Sequence, residues 1–176
     1  MTVSIIIAVK TWQNNLEECV GKCRELDFPR QDFEIIVLPD EPFTQKGSDP
    51  FWRVVPTGPV GPAEKRDIAL QYCNGELIAF LDDDAYPRKD WLKNAVRHFA
   101  DPDVGAVGGP AVTPPHDTLR QKASGLVYSS FLVSGSYSYR YLPKAKRLVD
   151  DYPSCNFFVR KSLMEKTGGF QTNFWP

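Results

Sequence analysis

Five apolar residues, Leu77-Ile78-Ala79-Phe80-Leu81, run directly into three consecutive carboxylates, Asp82-Asp83-Asp84, and no other junction in the chain restricts its fold as tightly. The run is short, rich in strand formers and preceded by the turn pair Asn74-Gly75, so it predicts a buried strand ending in concentrated negative charge. In an extended segment, side chains two apart share a side, which lets Asp82 and Asp84 face one cation while Asp83 points elsewhere. Aspartate oxygens suit Mg²⁺ or Mn²⁺, and a small protein site of this kind leaves coordination positions open for phosphates. The inferred ligand is a metal-bound diphosphate. The competing reading is an acidic loop that keeps a strand end soluble. Placement at a strand's carboxyl end, where open α/β sheets bind ligands, favours the metal site.

The rest of the chain supplies the sheet that such a strand needs. Val3 to Val9 is a nearly unbroken apolar run and predicts a buried, central strand of a mostly parallel sheet. Asn14 or Asn15 is placed to cap a helix whose apolar face is Leu16, Cys19, Val20 and Cys23, closed by Phe28-Pro29. Phe33 to Leu38 predicts a second buried strand, ended by Pro39 and followed by Asp40 and Glu41. From Glu41 to Pro62 the chain is rich in Pro and Gly and reads as a long connection with an edge strand around Trp52 to Val55.

Pro62 opens a helix that runs to Cys73, and a further helix from Asp90 to Phe99 carries Trp91, Leu92, Ala95, Val96 and Phe99 as core residues. Val104 to Val107 predicts a short strand stopped by Gly108-Gly109-Pro110. Beyond Pro114-Pro115, Leu119, Ala123, Leu126, Val127 and Phe131 fall at helical spacing. The stretch from Tyr128 to Leu142, with five aromatics among Ser and Gly, reads as a helix packed on the sheet; an element facing an acceptor or a membrane is the alternative. Asn156 to Val159 predicts a last strand, and Lys161 to Lys166 a helix ended by Gly168-Gly169.

At 176 residues the chain fits one α/β domain with a substantial core. Its net charge of −1, without a dense basic stretch, argues against a nucleic-acid partner. Four cysteines without a CxxC pair, and only two histidines, argue against zinc and against a structural disulfide. The N-terminus has no basic leader, and no segment approaches about 18 continuous apolar residues, so the sequence reads as cytoplasmic and not membrane-spanning.

The residues at the strand ends resemble those of the family 2 inverting glycosyltransferases of the GT-A fold. The matching motifs are Val3-Ser4-Ile5-Ile6-Ile7, Glu34-Ile35-Ile36-Val37 leading to Asp40, Lys65-Arg66-Asp67, Gly75 through Asp84, Asn156 through Arg160, and Gly168-Gly169-Phe170. Their order and near-complete coverage make the resemblance specific. It implies a GT-A-like (Rossmann-like), mostly parallel sheet flanked by helices, and one nucleotide-sugar-binding domain over residues 1–176. It further implies that Asp40 reads a uracil edge, that Arg66 lies near the nucleotide, and that Ala8 to Thr11 touch the base. Asp82 and Asp83 would then hold ribose and diphosphate, with Asp82 and Asp84 on Mg²⁺ or Mn²⁺. The implied donor is a UDP-sugar, with the acceptor unspecified.

Two departures stand out. Pro39-Asp40-Glu41-Pro42 replaces the Asp-Gly-Ser that many relatives carry after the second strand, and Asp67 replaces an Asn. The family's catalytic base belongs to an acidic motif expected beyond Phe174-Trp175-Pro176, where segments associating with the inner face of a membrane are also expected. Within the chain, Asp150 and Asp151 are the remaining candidates for the base. A metal-dependent nucleotidyltransferase and a non-catalytic nucleotide-binding module stay open as other readings. An aspartyl phosphatase would want DxDx[TV] after an early strand, and the glycines fit neither GxxxxGK[ST] nor GxGxxG.

Overall fold

Six strands form one sheet: β1 (Val3–Ala8), β2 (Phe33–Leu38), β3 (Trp52–Val54), β4 (Leu77–Asp82), β5 (Ala106–Gly108) and β6 (Asn156–Arg160), in the order β3-β2-β1-β4-β6-β5. The structure, a computed structural model, describes residues 1–43 and 52–170. Part of the predicted connection after Glu41 and the Phe174-Trp175-Pro176 end lie outside the described residues. Strand β1 pairs in parallel with β2 and β4, and β2 with β3. Strand β6 runs antiparallel to both β4 and β5. The sheet is therefore mixed but mostly parallel, as the apolar runs predict. The helices are α1 (Asn14–Arg24), α2 (Pro62–Ala69), α3 (Trp91–Val96), α4 (Leu119–Ser129), α5 (Phe131–Ser134) and α6 (Lys161–Thr167).

Continuous apolar strands require cover on both faces, and they receive it. Ile5, Ile7, Val37, Ala79 and Leu81 pack with Leu16, Cys19 and Cys23 of α1 and with Leu92 and Phe99 on one side. Ile6, Ile36, Ile78 and Phe80 pack with Ala69 of α2, with Cys73 beyond it and with Met164 of α6 on the other. Cys19, Cys23 and Cys73 are buried free thiols, the small core-facing role expected of them.

One polar knot fixes the opposite end of the sheet from the acidic triplet. The buried Ser4 hydroxyl donates to Glu34 Oε1 at 2.7 Å and accepts from Gly75 N at 2.8 Å. Against the cost of burial, Ser4, both N–H groups of Asn74 and the Arg53 guanidinium hold the Glu34 carboxyl below its ordinary value. A Cβ on Gly75 would lie 2.4 Å from Ser4 N, so this turn admits only glycine.

Several boundaries differ from the sequence reading for local reasons. Neither Asn14 nor Asn15 caps α1; Gln13 occupies that position without a capping bond, its side chain donating instead to Asp83 Oδ2 at 2.8 Å. Strand β5 lies two residues later than expected at its start, because its partner β6 sets the register, pairing Gly108 with Phe157. Strand β4 stops at Asp82, and Ala85 N donates to Asp82 O at 3.1 Å, so the triplet turns and does not continue extended.

The largest correction concerns residues 118–149. A Thr118–Gln121 capping box starts α4 as a well-formed helix, but no residue of α4 or α5 is buried. The expected helix packed on the sheet is absent from the core. The amphipathic spacing is real, yet its apolar side faces away from the protein. Among the described residues, no helix is long and apolar enough to cross a membrane.

Candidate functional site

The parallel register brings three strand ends to one edge. Ala8 lies opposite both Leu38 and Asp82, so β2 delivers Asp40 and β4 delivers Asp82 on either side of the β1 terminus. Strands two apart are about 10 Å from one another, a spacing that one extended small molecule can bridge. The loop beyond β1 is fixed by backbone bonds from Val9 N to Leu38 O and from Asp40 N to Lys10 O, 3.1 and 3.0 Å. Thr11 is exposed in that loop, and Trp12 anchors it against Phe43 and Trp52, with ring centroids 5.1 and 5.4 Å away.

Lys65 is the residue that the sequence reading missed here. Its side chain is only 4% exposed, and its ammonium donates to Val9 O at 2.7 Å, to Leu38 O at 3.2 Å and to Asp40 Oδ1. An ammonium has three protons, and all three are engaged. The signal was present in the quoted Lys65-Arg66-Asp67 motif. A single sequence gives no sign of which of the two cations turns inward.

Arg66, the neighbouring cation, points to the other side of the edge. Its Nη2 donates to Asp82 Oδ1 at 2.9 Å, with the Arg66 side chain 11% exposed. Its Nε is buried and has no hydrogen-bond partner among the described residues. Asp67 serves the fold instead: it accepts from Phe170 N at 2.8 Å, and a Cβ on Gly169 (φ +84°) would sit 2.4 Å from its Oδ1. The Gly168-Gly169-Phe170 motif is thus a docking turn for α2, sealed by Phe170 against Phe80 at 5.2 Å.

Asp82 and Asp84 line one cavity of about 660 Å³, whereas Asp83 is drawn away by Gln13. Burial raises the Asp82 carboxyl above its ordinary range, Arg66 opposes that, and the charges of Asp84 and Asp83 push it further up. A divalent cation would relieve this repulsion. Among the described residues no group of three or more His, Cys, Asp and Glu side chains is placed to hold a metal. A carboxylate pair such as Asp82 and Asp84 would leave an Mg²⁺ or Mn²⁺ to take its remaining ligands from phosphates and water.

The far wall of the cavity is built by α3, β5 and β6. Asn156 ties them together: its Oδ1 accepts from Trp91 Nε1 at 2.8 Å, its Nδ2 donates to Pro110 O at 3.4 Å, and its carbonyl accepts from Gly109 N at 3.1 Å. Trp91 packs on Phe158 as expected of a core residue, and it also faces the cavity. Asp90 is a third carboxylate on the wall, paired with Arg88 at 3.2 Å. Asp150 and Asp151 are not among the lining residues; Asp151 is held by Arg140 at 2.6 Å.

Known proteins share this fold. The chain is 25% identical to the mannosyltransferase PcManGT of Pyrobaculum calidifontis, solved with GDP-Man and Mn²⁺, with a TM-score of 0.69 over 97% of this chain and 48% of that one. TarS of Staphylococcus aureus, at 17% identity, shares the fold with a TM-score of 0.67 over 100% of this chain and 52% of that one. These likenesses bear out the GT-A-like sheet. Among curated relatives, the pre-mycofactocin glycosyltransferase of Mycobacterium tuberculosis is 33% identical over 110 residues, 62% of this chain and 23% of the relative. Glycosyltransferase AglE of Haloferax volcanii is 24% identical over 181 positions, 96% of this chain and 55% of the relative. The chain thus spans between about a quarter and about half of the length of these relatives. Residues 4–168 match the family model of Glycosyl transferase family 2, and the chain belongs to that family.

Proposed function

We propose that this chain binds a nucleotide diphosphate sugar, a UDP-sugar by preference, and supports inverting, divalent-metal-dependent transfer of the sugar to an acceptor hydroxyl. The observation that carries the reading is the pair Asp82 and Asp84 on the cavity wall, across the β1 terminus from Asp40. In PcManGT the bound molecules are GDP-Man and Mn²⁺, which supports a donor and a metal of these classes.

Each residue has a separable task. Asp40 accepts the ring N–H of uracil; because Lys65 has no proton left to donate, it orients the carboxylate without competing for the base. Ala8 and Thr11 border the base, and Asp83 the ribose. Arg66, held on Asp82 through its Nη2, stands beside the diphosphate. Asp82 and Asp84 would hold the Mg²⁺ or Mn²⁺, which when bound neutralises charge on the departing diphosphate. The acceptor enters past Trp91, Gly109 and Asn156, so that its hydroxyl approaches from the β5–β6 side. Asp150 and Asp151 do not line the cavity, and neither is assigned as the carboxylate that takes the hydroxyl's proton. The four free thiols fit a reducing, cytoplasmic setting.

Calorimetry with UDP tests the reading. Binding should require Mn²⁺ or Mg²⁺, and Asp84→Ala should abolish this metal-dependent binding while leaving the circular dichroism spectrum unchanged. Equal affinity with chelator and with excess metal would defeat the assigned metal role.

A further inference from the structure

Residues 118–149 form a lobe with a composition unlike the rest of the chain. They contain six Lys or Arg residues and no Asp or Glu, while the whole chain has a net charge of −1. Among them only Ser138 is buried. Leu119, Leu126, Phe131, Leu132 and Leu148 are 85%, 72%, 77%, 95% and 99% exposed, far beyond the scattered apolar surface of an ordinary soluble domain.

The lobe is built, not frayed. The capping box sets α4, Tyr128 packs on Tyr141 at 5.6 Å, and Arg147 lies over the Tyr139 ring at 4.3 Å. Ala111 N donates to Arg140 O at 2.8 Å, joining the lobe to the cavity rim. Exposed leucines and a phenylalanine set among cations, of which Arg140 is paired with Asp151 and the other five have no acidic partner among the described residues, match one surface, the interface of an anionic bilayer. There apolar side chains enter the acyl boundary and Lys and Arg meet lipid phosphates. A polar protein partner would leave the leucines unsatisfied, and a neutral apolar partner would leave the five cations other than Arg140 without counter-charge.

We propose that the α4–α5 lobe docks this chain on an anionic lipid surface, which would bring the cavity mouth next to the bilayer. The docking does not depend on the donor chemistry proposed above, and the two can fail separately.

Flotation of the full chain with vesicles of phosphatidylcholine, with and without phosphatidylglycerol, tests it. Binding is expected only with the anionic lipid and should weaken as salt rises. Arg120→Glu, Lys122→Glu and Lys146→Glu together, at exposed residues without an ion pair among the described residues, should lower partitioning by about 100-fold. Leu132→Glu should lower it by about tenfold. Equal binding to neutral vesicles, or binding unchanged in both variants, would overturn the proposal. So would a dimer in lipid-free sedimentation that Leu132→Glu dissociates, which would make the patch a contact between copies. Vesicle binding lost in a longer polypeptide that continues beyond Pro176 would likewise overturn it, as an intramolecular contact.

Discussion

Ile5-Ile6-Ile7 in β1 and Phe131-Leu132-Val133 in α5 are apolar triplets of similar size with opposite fates. The first is 0% exposed at every position; the second is 77%, 95% and 56% exposed. Hydrophobicity alone does not separate them. Strand β1 is paired on both edges, by β2 and β4, and covered on both faces, by α1 and by α2 with α6. The lobe packs mainly on itself. What buries a run is the number of elements that reach it, and sheet topology fixes that number for β1 and not for α5.

The difference can be broken most forcefully in the sheet. Phe80 is fully buried between Phe157, at 6.3 Å, and Phe170, at 5.2 Å. Phe80→Ala should cost about 3–5 kcal/mol of stability in urea unfolding, through lost transfer energy and the cavity left behind. A loss near 1 kcal/mol would mean that the sheet is no better packed than the lobe.

Lys65 sharpens the contrast at the functional edge. Lys65→Met removes a buried cation from Asp40 and from two strand-end carbonyls, and it should cost about 3 kcal/mol. Adding Asp40→Asn should restore part of that stability by deleting the stranded charge. Affinity for UDP should fall in the single variant, as calorimetry would show. A stable Lys65→Met protein with unaltered UDP affinity would remove Lys65 from the site.

The same contrast explains what could be read without coordinates. The apolar runs at Val3, Phe33 and Leu77 led directly to parallel neighbours, because a strand without alternation has few places to go. Asp82 and Asp84 were legible as a strand-end pair. The reason given, alternation in an extended segment, fails: the triplet turns after Asp82, and Gln13 draws Asp83 aside. The inward turn of Lys65 and the bridging of Asn156 were not legible, since both depend on partners at least 25 residues away. For α4, helical spacing gave the element correctly and its burial wrongly. Periodicity determines which residues share a face, and only tertiary neighbours determine whether that face is covered.

The smallest expected effect is the most discriminating one for the lobe. Leu132 is exposed in the folded chain, so truncating it removes little surface that folding had taken from water. Leu132→Ala should therefore change unfolding stability by no more than about 0.5 kcal/mol, an order of magnitude below Phe80→Ala. A loss above about 1 kcal/mol would require Leu132 to be packed in solution. Repeating the unfolding at several protein concentrations then identifies the contact. A midpoint that rises with concentration indicates a second copy, and a constant one indicates a contact within the chain. With neither effect, the 95% exposure of Leu132 holds in solution, and the apolar face remains free to meet a lipid surface.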